Sequence, residues 1–147
     1  MELQLVVFSL EQETFGVAIE QVREINRFTN ITKVPKGPEG LLGVINLRGH
    51  VIPVVSLRER FGFPPREADN ATRIVVSDVG GQTAGFVVDS VTEVLRLAMD
   101  SIEPAPRHAS VVDSDFITGI GKVGERLVIV LDLERVLDFS MSAARPA

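Results

Sequence analysis

The chain has 147 residues, 45% hydrophobic and 24% charged, with 12 Gly, 8 Pro and no Cys, the balance of a folded globular protein that needs no disulfide or metal staple. Lys+Arg 15 against Asp+Glu 20 leaves a net charge of -5, which excludes the bulk positive field that holds a phosphate backbone or an anionic bilayer. Without cysteine there is no thiolate zinc site and no cysteine nucleophile, and no run approaches the roughly 20 apolar residues of a membrane span, so a cytoplasmic protein is expected.

Val and Ile make up about a fifth of the chain and cluster in short runs bounded by Gly, Pro, Asn or Asp, the pattern of strands. In chain order the expected strands are Leu3 to Leu10, Thr14 to Ile19, Val22 to Arg27, Leu41 to Leu47, Val51 to Val55, Arg73 to Val79, Thr83 to Val88, Val91 to Leu97, Ile117 to Lys122 and Leu127 to Leu131. Glu11-Gln12-Glu13 and Gly80-Gly81 read as hairpin turns, the glycines supplying the positive φ of a tight connection. Helix is confined to connectors: Ser56 stands three residues before Glu59 in a capping box, with Gly62 as a stop, and Asp132 is the N-cap candidate of a second short helix.

An internal repeat organises these elements. A shift of 69 lays Gly16, Glu20, Val22 and Glu24 over Gly85, Asp89, Val91 and Glu93; a shift of 76 lays Gly43, Val54, Ser56 and Leu57 over Gly119, Val130, Asp132 and Leu133. Five short strands per copy close into a small barrel more readily than they leave an open sheet. The expectation is therefore mainly β: two similar five-stranded barrels sharing a groove and joined by short helices. The first copy spans about 1–69 and the second about 70–140, linked through Pro64 to Asn70, with 141–147 as a flexible tail; strand exchange between the barrels stays open.

Enzymatic parts are scarce. Gly119-Ile120-Gly121-Lys122-Val123-Gly124 spells a dinucleotide fingerprint but runs into a strand pattern rather than a helix, so its glycines belong to a hairpin. His50 and His108 lack companions at metal or nucleophile-base spacing, and Glu11 with Glu13 and Asp113 with Asp115 fall in polar loops. No catalytic residue, metal or cofactor is expected, and with no Trp or Tyr a nucleic-acid stacking surface is disfavoured. The distinctive segment is Asn46-Leu47-Arg48-Gly49-His50. The second copy has Gly124 where the first has Arg48, so the barrel scaffold does not require the arginine. Glu24 and Glu93 recur in both copies, as do Val22 and Val91, which suits a structural role.

Phe8-Ser9-Leu10-Glu11 through Phe15-Gly16-Val17, Val22-Arg23-Glu24-Ile25, Val34-Pro35, Gly43 to Gly49 and Ile52 to Arg58, with Gly85 to Val91, Ile102 to Pro106 and Leu127 to Leu133, resemble the CheW family of bacterial chemotaxis coupling proteins from about residue 5 to 138. The resemblance implies two five-stranded SH3-like β-barrels around a hydrophobic core. It also implies a non-enzymatic adaptor, cytoplasmic and recruited to membrane-associated arrays. Its expected partners are the cytoplasmic tips of methyl-accepting chemotaxis receptors and the regulatory domain of a CheA-type histidine kinase. Carried residue by residue, the partner-binding positions are Val22, Glu24, Asn46, Arg48, Gly49, Val91 and Val94. The chain departs from the family at Ser56, where Asp is common, and at Arg73. A coupling protein of another chemosensory array, such as one for surface motility, is the alternative within the family; a small β-barrel binding a ligand or nucleic acid is the alternative outside it.

Overall fold

The computed structural model describes residues 2–35, 37–104 and 114–138; His108, Asp113 and the 141–147 tail lie outside them. All ten expected strands form. In chain order they are β1 (Glu2–Leu10), β2 (Glu13–Ala18), β3 (Val22–Arg27), β4 (Leu41–Leu47), β5 (His50–Ser56), β6 (Arg73–Val79), β7 (Gln82–Val88), β8 (Ser90–Ala98), a two-residue β9 (Ile102–Glu103), β10 (Ile117–Val123) and β11 (Arg126–Leu131). Two short helices follow β5 and β11, α1 (Leu57–Arg60) and α2 (Leu133–Leu137). Both are capped as the sequence predicts, with Ser56 Oγ accepting from the Glu59 N–H at 3.2 Å and Asp132 Oδ1 from the Arg135 N–H at 3.3 Å.

The strands assemble into a six-stranded sheet, β8-β1-β2-β11-β10-β9, and a five-stranded sheet, β3-β6-β7-β5-β4. Matched through the repeat, the two orders are the same, with β9 as the extra piece. The sheets do not divide the chain at residue 69. The β1–β2 hairpin of the first copy completes the sheet of β8, β10 and β11, and the β6–β7 hairpin of the second completes that of β3, β4 and β5. The junctions are parallel pairs, Phe15 beside Ile129 and Val54 beside Gly85. The chain passes between sheets at the 3-10 turn Ile19–Gln21 and at Asp89, between β7 and β8.

Each sheet curls shut through the segment after its third strand. Past β3, Thr32 exchanges hydrogen bonds with Val44 of β4 at 2.8 and 2.9 Å; past β8, β9 pairs with β10 through Ile102 and Glu103. The crossing backbone needs glycine underneath. A Cβ on Gly43 would sit 2.0 Å from the Thr32 carbonyl oxygen, and one on the equivalent Gly119 2.8 Å from that of Glu103. The β9 closure has no signal in the sequence because two residues are too few to set up a periodicity.

Three apolar clusters fill the structure. Leu5, Val7, Leu97, Val128 and Val130 lie inside one barrel, and Ile45, Ile52, Val54, Ile74 and Val76 inside the other. Between the sheets, Val6, Phe8, Phe15, Val75, Phe86 and Ile129 belong to a larger shared cluster. Consecutive residues of β1, β6 and β11 thus face different cores, which is why these strands read as unbroken apolar runs. A chain of rings crosses the shared layer: Phe8 to Phe15 at 5.9 Å, Phe15 to Phe61 at 5.9 Å and Phe61 to Phe116 at 5.4 Å. Arg60 of α1 covers Phe116 at 4.6 Å and donates to the carbonyls of Val136 at 2.8 Å and Asp138 at 3.0 Å, satisfying the end of α2.

One polar group breaks the shared core. Ser77 is fully buried and its Oγ has no hydrogen-bond partner, facing Phe8, Leu57, Phe86 and Leu133 across a space with no room for water. Removing a buried unsatisfied hydroxyl is stabilising. Ser77→Ala is expected to raise the unfolding free energy by about 1 kcal/mol, read by urea denaturation followed by circular dichroism. Gly43→Ala is expected to lower it by more than about 2 kcal/mol in the same assay, because the barrel closure must move.

Candidate interaction site

Leu47 pairs with His50, so the β4–β5 hairpin turns on two residues, Arg48 and Gly49, with φ of 52° and 87°. Positive φ at both positions is the type I′ turn that suits the twist of a hairpin and favours Asn-Gly. Asn46 Oδ1 accepts from the Gly49 N–H at 2.9 Å and pins the turn. Arg48 is poorly suited to its place, since the left-handed conformation costs a side-chain-bearing residue about 1–2 kcal/mol. At the equivalent turn the second copy places Gly124, φ 62°.

The Arg48 guanidinium reaches back across the barrel to β3, where Nη1 donates to Glu24 Oε2 at 2.5 Å. Its side chain is 73% exposed and that of Glu24 18%, so the pair contributes at most about 1 kcal/mol to folding. Its effect is positional: it holds a cation at fixed geometry on the outside of the turn. In the other barrel Glu93 meets Arg126 at 2.9 Å, so both repeated glutamates brace a barrel, one with an arginine in the turn and the other with the arginine that begins β11.

Glu24, Asn46, Arg48 and Gly49 therefore converge. Val22 begins the same strand as Glu24 but turns inward, half-buried against the shared core; Val91 does the same on β8. Val94 lies on β8 of the six-stranded sheet, opposite Val6 and exposed, so it belongs to a different face from Arg48. Beside the Arg48 turn runs an open groove of about 630 Å³, lined by Arg23, Arg48, His50, Val51, Pro53 and Gln82 among others. Val51 is 69% exposed there. The sequence hides it inside the apolar run of β5; parity puts it on the same face as Val55, which is buried in the shared core, and Val51 is exposed because it lies at the turn end of the strand, beyond that core.

The groove offers an apolar strip and two guanidiniums, those of Arg23 and Arg48. Among the described residues no three His, Asp or Glu side chains gather as a metal site. Gly119 to Gly124 occupy β10 and its turn, as the hairpin reading requires.

A second polar cluster holds the fold together. Arg58, its side chain 10% exposed, donates through Nη1 to Asp89 Oδ2 at 2.7 Å, through Nη2 to Glu11, and through Nε to the Pro64 carbonyl at 2.9 Å. Asp89, 9% exposed, also accepts from the Glu11 N–H at 2.9 Å and from Arg66 at 3.2 Å. The cluster sits where the chain crosses between sheets and ties that point to the β1–β2 turn and the linker. Arg58→Leu is expected to cost more than about 2 kcal/mol, because it strands much of a buried carboxylate, whereas Arg66→Ala costs under about 1 kcal/mol; denaturation midpoints of the two variants give the comparison.

Residues 4–140 match the family model described as CheW-like domain. The chemotaxis protein CheW of Helicobacter pylori is 38% identical over 92% of this chain and 81% of its own length, and that of Klebsiella aerogenes 35% over 91% and 81%. The crystal structure of the scaffolding protein CheW from Thermoanaerobacter tengcongensis superposes with a TM-score of 0.87 at 39% identity, covering 94% of this chain and 89% of that one.

Proposed function

The chain belongs to the CheW-like family of chemotaxis scaffolding proteins, which are not enzymes, and on that premise we propose that it couples methyl-accepting chemoreceptors to a CheA-type histidine kinase. One partner is the cytoplasmic receptor tip and the other the regulatory domain of the kinase. The protein acts in the cytoplasm, recruited to membrane-associated arrays, and transmits receptor state as a change in which contacts are made.

The observation that carries this reading is Arg48. It occupies a left-handed position where the sister barrel has glycine, projects into solvent, and is steadied by Glu24 beside a groove with an exposed Val51. A residue kept against the preference of its backbone, without a matching gain in stability, fits selection for contact with another molecule. An amphipathic receptor helix laying its apolar face in the groove would set an acidic side chain against the guanidinium. Glu24, Asn46 and Gly49 position that cation. Val22 and Val91 shape the shared core beneath the partner surfaces, and Val94 serves a contact on the other sheet.

Arg48→Gly tests the reading without disturbing the turn, since Gly124 already fills the equivalent place. Calorimetric titration of the unaltered protein with the kinase regulatory domain and with a receptor cytoplasmic fragment is expected to give micromolar affinity or better, about -8 kcal/mol. The variant is expected to lose about tenfold for at least one partner while its unfolding free energy stays within about 1 kcal/mol. Failure of the unaltered protein to bind either partner overturns the assignment.

A further inference from the structure

The register of β3 against β6 sets Arg27 directly opposite Arg73. Two guanidiniums on the same face of neighbouring strands repel, and like charges directly opposite each other destabilise a sheet. The other barrel avoids this: the equivalent pair, 69 residues away at each position, is Arg96 opposite Gln4. The fold thus accepts a neutral residue at this register, yet one copy carries the doubled charge.

Nothing within the described residues neutralises it. Neither Arg27 nor Arg73 enters an ion pair. Arg73 Nη1 donates only to neutral acceptors, the carbonyls of Asn70 at 2.8 Å and Thr72 at 2.9 Å. Both side chains line a cavity of about 480 Å³ with Phe28, Asp69, Asn70 and Thr72. The Asp69 carboxylate is committed to its own turn: it accepts from the Ala71 N–H at 2.8 Å, from Arg66 at 2.8 Å and from Thr72 Oγ1 at 3.3 Å. The Ala71 N–H foremost, and then Arg66, hold it below the usual carboxylate range, so it stays ionised and engaged there. Phe28 is exposed at the cavity wall.

An uncompensated cationic cavity on a protein of net charge -5 selects for an anion. Phe28 distinguishes among anions, because an aromatic face gives nothing to an inorganic ion but seats an apolar side chain. We propose that the Arg27–Arg73 cavity docks an acidic segment of a partner protein, one carboxylate bridging the two guanidiniums and a neighbouring apolar residue resting on Phe28. The site is separate from the Arg48 turn and does not depend on the function assigned to it.

The test is a titration of isotopically labelled protein, followed by backbone amide shifts, with three probes: the blocked peptide acetyl-Leu-Glu-Glu-Leu-amide, its Gln-Gln counterpart, and inorganic phosphate. The acidic peptide is expected to move the amides of Arg27, Phe28, Asn70, Thr72 and Arg73, and to bind about tenfold more tightly than the Gln-Gln peptide. Its affinity is expected to fall with added salt. Arg27→Gln is expected to weaken it about tenfold with a denaturation midpoint that does not fall, since the change also relieves the cross-strand repulsion, and Arg73→Gln, which recreates the Gln–Arg pairing of the other barrel, to do the same. The proposal is overturned if the two peptides bind alike, if folded Arg27→Gln binds as the unaltered protein does, or if phosphate produces the same shifts at equal or higher affinity, which makes the cavity a small-anion site.

Discussion

The architecture depends on the central strands burying apolar side chains on both faces. Val6 and Phe8 of β1 face the shared core while Leu5 and Val7 face a barrel interior; Ile129 and Leu131 of β11 stand in the same relation to Val128 and Val130. A single curled sheet covers only its inner face, so a strand of this composition requires a second sheet against its outer one. Two barrels placed back to back meet that requirement, and each is the other's lid. The doubled sequence supplies two such surfaces, and the exchanged hairpins join them.

The two copies differ where the molecule meets its surroundings. Among the described residues the non-glycine positions with positive φ are Glu11 and Arg48, both in the first copy, and at the matching positions the second has Gly80 and Gly124. Each takes part in an ion pair, Glu11 with Arg58 and Arg48 with Glu24. The first pair is drawn in toward Asp89 and secures the crossover; the second stays outside and presents a charge. The same backbone compromise thus serves cohesion in one turn and display in the other.

Much of this was legible in the residues. Short Val- and Ile-rich runs mark the strands, and the repeat identifies Arg48 as an addition to the scaffold rather than part of it. What lay beyond the sequence depends on pairing at a distance. The hairpin exchange leaves no trace in either copy, because both copies carry the same pattern whichever partner they join. Val51 looks like a core residue until it is seen to lie past the end of the shared core that buries Val55 on the same face, and the opposition of Arg27 to Arg73 arises from a register between strands far apart in the chain. The Ser56 and Arg73 departures from the family pattern resolve differently: Ser56 caps α1 directly, while Arg73 ties down its own turn through the Asn70 and Thr72 carbonyls and adds a charge that no ion pair among the described residues meets.

Because β3 to β7 follow one another along the chain, the five-stranded barrel is one contiguous stretch inserted between the β1–β2 hairpin and β8, whereas the six-stranded barrel is assembled from both sides of that insertion. Cutting the chain at the linker would leave two fragments, each holding a hairpin parted from the strands it completes and a set of strands parted from the hairpin that completes them. Neither half of the cut chain carries a whole barrel. The chain crosses between the sheets twice, at Ile19–Gln21 and at Asp89, so the inserted barrel is tethered to its neighbour at both of its ends rather than hung from one.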